Sequence, residues 1–203
     1  DDAAALVTEA MDLRGGEEVL DVCAAPGGKS FRCATAMGDK GRIVACDLYE
    51  NKLRRIEVGA KRLHLTAIET ASLDGRSFRA EWENAFDIVL VDAPCSGLGI
   101  IRKKPEIRYK KADDLFALPV VQTAILENAS RYVKPGGLLL YSTCTILPEE
   151  NGQVTDEFLA GHPDFRRESF ALPVGEVPEG QITLWPQRQG TDGFYICRMR
   201  KAT

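Results

Sequence analysis

Residues 17–30 read EEVLDVCAAPGGKS. The first part, EEVLDVCA, has the short apolar run of a buried strand. Gly27 and Gly28 then let the backbone take positive φ and approach a ligand closely. The continuation, KSFRCATAMG, reads as a helix whose opening N–H groups lack partners within the helix. A strand, a glycine turn and a helix in that order form one unit of an alternating β/α sheet.

The pattern repeats outward from there. GRIVACDL (41–48) reads as the next strand. YENKLRRIEVGAKRLHL (49–65) has helical spacing, with Leu53, Ile56, Ala60 and Leu63 on one side. AIETASL (67–73) is a weaker third strand and FDIVLVDA (86–93) a strong fourth. DDLFALPVVQTAILENASRYV (113–133) reads as a helix begun or interrupted near Pro119 and stopped by Lys134-Pro135-Gly136-Gly137. LLLYSTC (138–144) gives a fifth strand, PEENGQVTDEFLAG (148–161) a helix with Pro148 near its first turn, and GFYICRMRK (193–201) a last strand after a loop rich in Gly, Pro and Gln. Near-continuous Val/Ile/Leu strands alternating with helices predict a mostly parallel sheet covered on both faces. Ligands of such sheets bind at the carboxyl ends of the strands.

Composition narrows the function. The 203 residues are 44% hydrophobic and 28% charged, as expected of one globular domain. No apolar run is long enough to span a membrane. The start, DDAAALVTEAMDL, has no signal-peptide pattern. Six cysteines without a C-x-x-C pair, in a chain too large to need a disulfide framework, predict a reducing, cytoplasmic setting. With only His64 and His162, and neither in ligand spacing, no metal site is expected. The same scarcity argues against a Ser-His-Asp hydrolase, and zinc deaminases are excluded because H-x-E and P-C-x-x-C are both missing. The absence of G-x-G-x-x-G weakens a nicotinamide dehydrogenase.

Charge is uneven despite a formal net value of −4. RKKPEIRYKK (102–111) holds six basic side chains and one acid. NKLRRIEVGAKR (51–62) holds five and one, which suits a solvated helix face. The first cluster follows DAPCSGLG (92–99), and a cationic loop beside a cysteine at a strand end suits phosphate contacts.

Candidate site residues lie at strand ends. Asp47 comes 19 residues after Gly28 and closes the second strand, where an acid accepts hydrogen bonds from ribose hydroxyls. Asp74, in SLDGRS, sits where it can meet an adenine amino group, although D-G is also an ordinary turn. Asp92 and Cys95 end the fourth strand, and Cys144 ends the fifth. Free cysteines are usually buried and inert, and spacing alone leaves open which of the two, if either, is a nucleophile.

DVCAAPGGKS, VDAPCSGLG, RKKPEIRYK, YSTCTILPEEN and DGFYICRMRK together resemble the RNA cytosine-5 methyltransferases, in particular the bacterial small-subunit ribosomal RNA methyltransferase B type. The likeness runs through the whole chain in the family's order. Two departures are Thr145, where the family more often has Ser, and Gly152, where an acid commonly follows Glu-Asn. The resemblance implies a Rossmann-like class I fold with a seven-stranded, mostly parallel sheet, helices on both faces and an antiparallel C-terminal strand, spanning residues 1–203 as one catalytic domain. It implies S-adenosylmethionine as cofactor, held by Cys23, Ala24, Ala25, Pro26, Gly27, Gly28 and Lys29, with Asp47 on the ribose, Asp74 by the adenine and Asp92 between cofactor and cytosine. The nucleophile implied is Cys144, with Cys95 assisting release of the adduct and Lys29 in the same pocket. Arg102, Lys103, Lys104 and Arg108 would grip the RNA backbone. The target expected is ribosomal RNA, with transfer RNA, or an inactive RNA-binding homologue, as alternatives. An amine methyltransferase of the same fold would need no thiol. A monomer is expected, and the upstream RNA-binding region usual in the family would be absent, leaving RNA binding weak and unselective.

Overall fold

The computed structural model describes residues 2–110 and 116–203. A helix, α1 (Asp2–Glu9), precedes five strands, all but the third of them followed by an α-helix. These comprise β1 (Glu18–Asp21), α2 (Gly28–Ala36), β2 (Arg42–Asp47), α3 (Glu50–Arg62), β3 (Ile68–Ser72), β4 (Phe86–Asp92), α4 (Leu118–Tyr132), β5 (Val133–Thr143) and α5 (Gly152–Gly161). The chain then makes β6 (Phe165–Arg167), β7 (Phe170–Leu172), β8 (Gly175–Val177), β9 (Gln181–Leu184), a one-turn helix α6 (Pro186–Gln189) and β10 (Phe194–Lys201).

The order across the main sheet is β3-β2-β1-β4-β5-β10-β6, with β9 also on β10. β1 to β5 are mutually parallel, and β10 runs antiparallel to β5. The sheet therefore has eight strands rather than seven. The extra ones come from the Gly/Pro/Gln-rich segment, which is not a plain loop: β9 and β6 share the outer edge of β10, and β7 and β8 form a separate hairpin. Their three- and four-residue lengths leave too few alternations for a period to be visible.

Successive residues of the central strands face opposite sides. Leu20, Val22, Val89, Val91, Leu139 and Tyr141 pack on one face with Ile125, Leu126 and Ala129 of α4 and Phe158 of α5. Val19, Ile43, Ile88, Leu90, Leu138 and Leu140 pack on the other with α1 and α2, and Leu53 and Ile56 of α3 cover Ala24 and Ala45. Both faces are covered, which is why the strands read as unbroken apolar runs.

Three local expectations shift. Leu63 is the α3 C-cap and is exposed rather than core. The helix before β5 ends at Tyr132, and Lys134–Gly137 forms an irregularity inside the strand: Phe86 pairs with Val133 but Ile88 with Leu138. Pro148 opens a 3-10 turn, Pro148–Glu150, and the α-helix begins only at Gly152. The early part of the helix predicted over 113–133, and Lys111, lie outside the described residues; Pro119 takes the first turn of α4.

Candidate active site

Parallel strands end together, so the loops after β1, β2, β3, β4 and β5 meet over one edge of the sheet. Gly27 shows why the first loop needs glycine. Its φ is +106°, and a Cβ there would stand 2.7 Å from the Phe31 ring. Its carbonyl accepts the Phe31 N–H at 2.9 Å and starts α2. This turn lies beside a cleft of about 550 Å³ lined by Cys23, Ala25, Asp47, Asp74, Asp92, Cys95 and Cys144 among others, a size suited to a small-molecule ligand. The acids and cysteines predicted from strand ends thus come together. Ala24, Pro26, Gly27, Gly28 and Lys29 shape the turn behind the lining: Ala24 is buried, its N–H bonded to the Cys46 carbonyl at 2.7 Å.

Each carboxylate has a different setting. Asp47 is buried and its Oδ1 accepts the Tyr49 N–H at 3.0 Å, with the Lys52 ammonium 3.5 Å away. Its other oxygen makes no hydrogen bond among the described residues. Asp74 differs from the expectation of an acid free to meet an adenine. Arg76 takes both oxygens, through Nε at 3.0 Å and Nη2 at 2.8 Å, and this holds the carboxyl below its usual range. Asp92 is held between two elements, with Lys29 Nζ donating to Oδ2 at 2.6 Å and Ser142 Oγ to Oδ1 at 2.8 Å. The second bond follows from register, because Asp92 and Ser142 are opposite one another on β4 and β5. Burial pulls the Lys29 ammonium down, but Asp92 outweighs it and keeps the lysine charged.

Cys95 and Cys144 are the centre of the arrangement. Their sulfurs are 3.3 Å apart, within reach of an S–H···S hydrogen bond. Two thiols this close do not both ionise readily. The bond from Cys95, assisted by the Lys29 charge, draws Cys144 below the ordinary thiol value, while the same pairing together with burial pushes Cys95 up. Burial raises Cys23 as well. The three buried cysteines, Cys33, Cys46 and Cys197, are core packing.

The loops carrying the thiols are packed backbone against backbone. Gly99 N–H donates to the Cys144 carbonyl at 3.0 Å, and Gly193 N–H to the Gly99 carbonyl at 2.9 Å. A Cβ on Gly99 would fall 1.9 Å from the Gly193 oxygen, so only glycine permits the crossing. Next to Gly193, the nearly buried Asp192 receives Arg102 Nη2 at 3.1 Å and also pairs with Lys103. These two expected RNA contacts are therefore engaged in holding the loop down. Lys104 and Arg108 are exposed and make no ion pair among the described residues, and Lys110 donates to the Ser96 carbonyl at 2.7 Å. The other basic cluster is the solvent face of α3, as expected.

Sequence reasoning passed over several participants. Asp21, at the end of β1, is buried under α2 and accepts Ser30 Oγ at 2.7 Å; burial pushes its carboxyl up to about 7. An acid closing an apolar strand was the available signal. Ser142, Gln122 and Asp192 carried none, because each acts through a neighbour distant in sequence.

Comparison with known proteins agrees with this geometry. The profile described as 16S rRNA methyltransferase RsmB/F matches residues 8–200. The chain belongs to this family. It is 44% identical over 209 residues to the "Probable ribosomal RNA small subunit methyltransferase B" of Bacillus subtilis, covering 99% of this chain and 47% of that protein. It is 38% identical to the ribosomal RNA small subunit methyltransferase B of Erwinia tasmaniensis, covering 93% and 43%. The chain thus spans about half the length of the curated relatives it matches. Among solved structures, PH0851 superposes with a TM-score of 0.91 at 36% identity, covering 98% of this chain and 46% of that one. NSun6 from Pyrococcus horikoshii, solved with SFG, superposes with a TM-score of 0.86 at 27% identity, covering 98% and 52%. The RsmB/F fold is that of S-adenosylmethionine-dependent methyltransferases, and no helix among the described residues is long and apolar enough to cross a membrane.

Proposed function

We propose that this RsmB/F chain is the catalytic domain of an RNA methyltransferase that forms 5-methylcytosine in small-subunit ribosomal RNA through a covalent adduct on Cys144. The observation that carries the reading is the thiol pair, 3.3 Å apart at the wall of a cleft of cofactor size. Methylation of an amine or a hydroxyl needs no thiol; methylation of a pyrimidine carbon does, because that carbon is a poor nucleophile.

The cleft fits S-adenosylmethionine by its donor set. Asp47 has an oxygen free for ribose hydroxyls, and Tyr49 and Asp74 stand further along the same wall. When bound, the cofactor supplies a methyl group on a cationic sulfonium. The chain's own residues do the rest. Cys144, as thiolate, adds to C6 of the cytosine, forming a C–S bond and placing an electron pair on the C4–C5–N3 system. Asp92, fixed by Lys29 and Ser142, would accept a hydrogen bond from the amino group on the base edge, and the Lys29 charge beside it would offset the charge that develops at N3. Once C5 carries the methyl, its proton passes to water in the open cleft, the pair it leaves reforms the C5–C6 double bond, the C6–S bond breaks and Cys144 leaves as thiolate. Cys95, within hydrogen-bond distance of that sulfur, assists this release. Lys104 and Arg108 contact phosphates near the base flipped from its stack.

Exchange of each thiol tests the assignment. Cys144→Ser should abolish methyl transfer from labelled S-adenosylmethionine to a small-subunit ribosomal RNA transcript and leave no covalent complex. Cys95→Ser should trap a protein–RNA adduct that survives a denaturing gel. The reverse pattern would make Cys95 the nucleophile, and full activity of both variants would remove the adduct mechanism.

A further inference from the structure

The stretch that follows Cys144 contains two adjacent buried residues, Glu150 and Asn151, exposed by only 1% and 2%. Neither borders the reacting atoms in the mechanism above, yet each grips the residues on either side of one thiol. Glu150 Oε2 accepts the Ser96 N–H at 2.8 Å, directly after Cys95. The same oxygen accepts Gln122 Nε2 at 2.8 Å, and that amide nitrogen also donates to the Pro94 carbonyl at 3.0 Å, directly before Cys95. Asn151 does the equivalent for Cys144. Its Oδ1 accepts Thr143 Oγ1 at 2.5 Å, and its Nδ2 donates to the Thr145 carbonyl at 3.0 Å. The two halves are tied together by Ser96 Oγ and Thr145 Oγ1, 2.7 Å apart, and anchored to the sheet by Tyr141 OH donating to the Glu150 carbonyl at 2.7 Å.

A buried carboxylate is costly to keep, and Glu150 Oε1 has no hydrogen-bond partner among the described residues. An apolar residue would avoid that cost but would strip the buried Ser96 N–H and Gln122 Nε2 of their acceptor, so what the glutamate contributes is these specific partners rather than burial. A buried network with specific partners fixes geometry instead. We infer that Glu150 and Asn151 are positioning residues, one for each thiol: Glu150, with Gln122, sets the loop of Cys95, and Asn151 sets the turn of Cys144. Their adjacency in the chain then fixes the separation of the two sulfurs. This inference rests on the two-thiol reaction proposed above.

Because the two thiols act at different steps, adjacent substitutions should leave opposite signatures. Glu150→Ala frees the Cys95 loop, so attack by Cys144 continues while release slows. Turnover should fall roughly 10- to 100-fold, as for a misplacement of about 1 Å, and the RNA adduct should accumulate on denaturing gels as in Cys95→Ser. Asn151→Ala loosens the nucleophile, so turnover should fall comparably with no adduct accumulating. Glu150→Gln keeps an acceptor for the Ser96 N–H and should restore most of the turnover. S-adenosylmethionine affinity, read by calorimetry, should stay within about twofold in all three. If Glu150→Ala fails to fold, Gln122→Ala decides the matter, since losing the Pro94 tie should also raise the adduct fraction. Identical signatures for the two alanine variants, or an unchanged adduct fraction in both Glu150→Ala and Gln122→Ala, would overturn the inference. If Cys95→Ser itself traps no adduct, the two-thiol reaction fails first; if it does and the clamp variants do not, only the positioning role fails.

Discussion

Adding one methyl group at Gly99 tests whether backbone contact between the two thiol loops sustains the site. A Cβ there would lie 1.9 Å from the Gly193 oxygen and 2.9 Å from the Cys144 oxygen. Ordinary contact needs about 3.4 Å or more, so the loop crossing must open by over an ångström. Both obstacles are backbone and have no rotamer to change. Opening costs the Gly99-to-Cys144 and Gly193-to-Gly99 hydrogen bonds, about 1–3 kcal/mol for the two, and overpacking adds about 1–3 kcal/mol. The sum, about 2–6 kcal/mol, corresponds to a fall in Tm of at least about 4 °C for a chain of this size. The movement separates Cys95 from Cys144, so Gly99→Ala should lose about 100-fold in methyl transfer. Cofactor affinity should be nearly unchanged, because the loops after β1, β2 and β3 are not involved. Calorimetric unfolding, a methyl-transfer assay and cofactor titration read the three quantities separately. A variant with unaltered Tm and full activity would show that the loops do not depend on this crossing.

Two more outcomes follow from the charges. Asp21 titrates near 7 in the folded protein against 3.8 unfolded, so the unfolded chain ionises first and stability falls as pH rises from about 4 to about 7, then levels off. Asp21→Asn should remove that penalty, gaining at most about 4 kcal/mol at pH 8 and little at pH 4 in urea unfolding; an equal gain at both pH values would refute the assignment. For RNA, replacing Lys104 and Arg108 by Gln should lower the slope of log affinity against log salt by about 0.7 per residue on a single strand. The same change at Arg102, already bound to Asp192, should alter the slope less. Tyr109, 82% exposed between Arg108 and Lys110, suits base stacking, and Tyr109→Ala should weaken binding by about 1–3 kcal/mol with the slope unchanged. Filter binding over a salt series separates the two kinds of contact, and a slope change on removing Tyr109 would exclude stacking.

The parallel half of the fold was readable because β1, β2, β4 and β5 are apolar on both faces and each is followed by a helix, whereas β3, polar at most of its positions and followed only by a 3-10 turn, gave the weakest signal. The same regularity put Asp47, Asp92, Cys95 and Cys144 at strand ends, and strand ends converge. What stayed hidden depends on contacts between distant segments. Gln122 lies mid-helix among apolar neighbours, and only the packing of α4 shows it reaching Pro94 and Glu150. Arg102 and Lys103 looked like free cations because their partner, Asp192, is some ninety residues away in the antiparallel return. Asp74 looked free for the opposite reason: its partner, Arg76, is only two residues on, but nothing in SLDGRS distinguishes a bidentate pair from a plain turn.

Why Cys144 rather than Cys95 should be the attacking thiol follows from where the sheet places charge. The sulfurs are equivalent as atoms, and their mutual hydrogen bond only requires that one carry the proton for the other. The hydrogen bond from Cys95 does most to lower the Cys144 thiol, and the Lys29 charge adds to it. Lys29 enters from the first turn of α2, is held by Asp92, and its charge acts on Cys144. Cys95 lies on a loop clamped from both sides, where its pairing with Cys144, together with burial, opposes ionisation. Strand register completes the division, since β4 and β5 are paired through Asp92 and Ser142 and the residues after them diverge into separate loops. Cys144, which the Lys29 charge favours as thiolate, is the nucleophile of the proposed reaction, and Cys95 keeps its proton as a donor. In the proposed reaction that donor meets the Cys144 sulfur again as it leaves the base, so a single hydrogen bond serves both the activation of the nucleophile and its release.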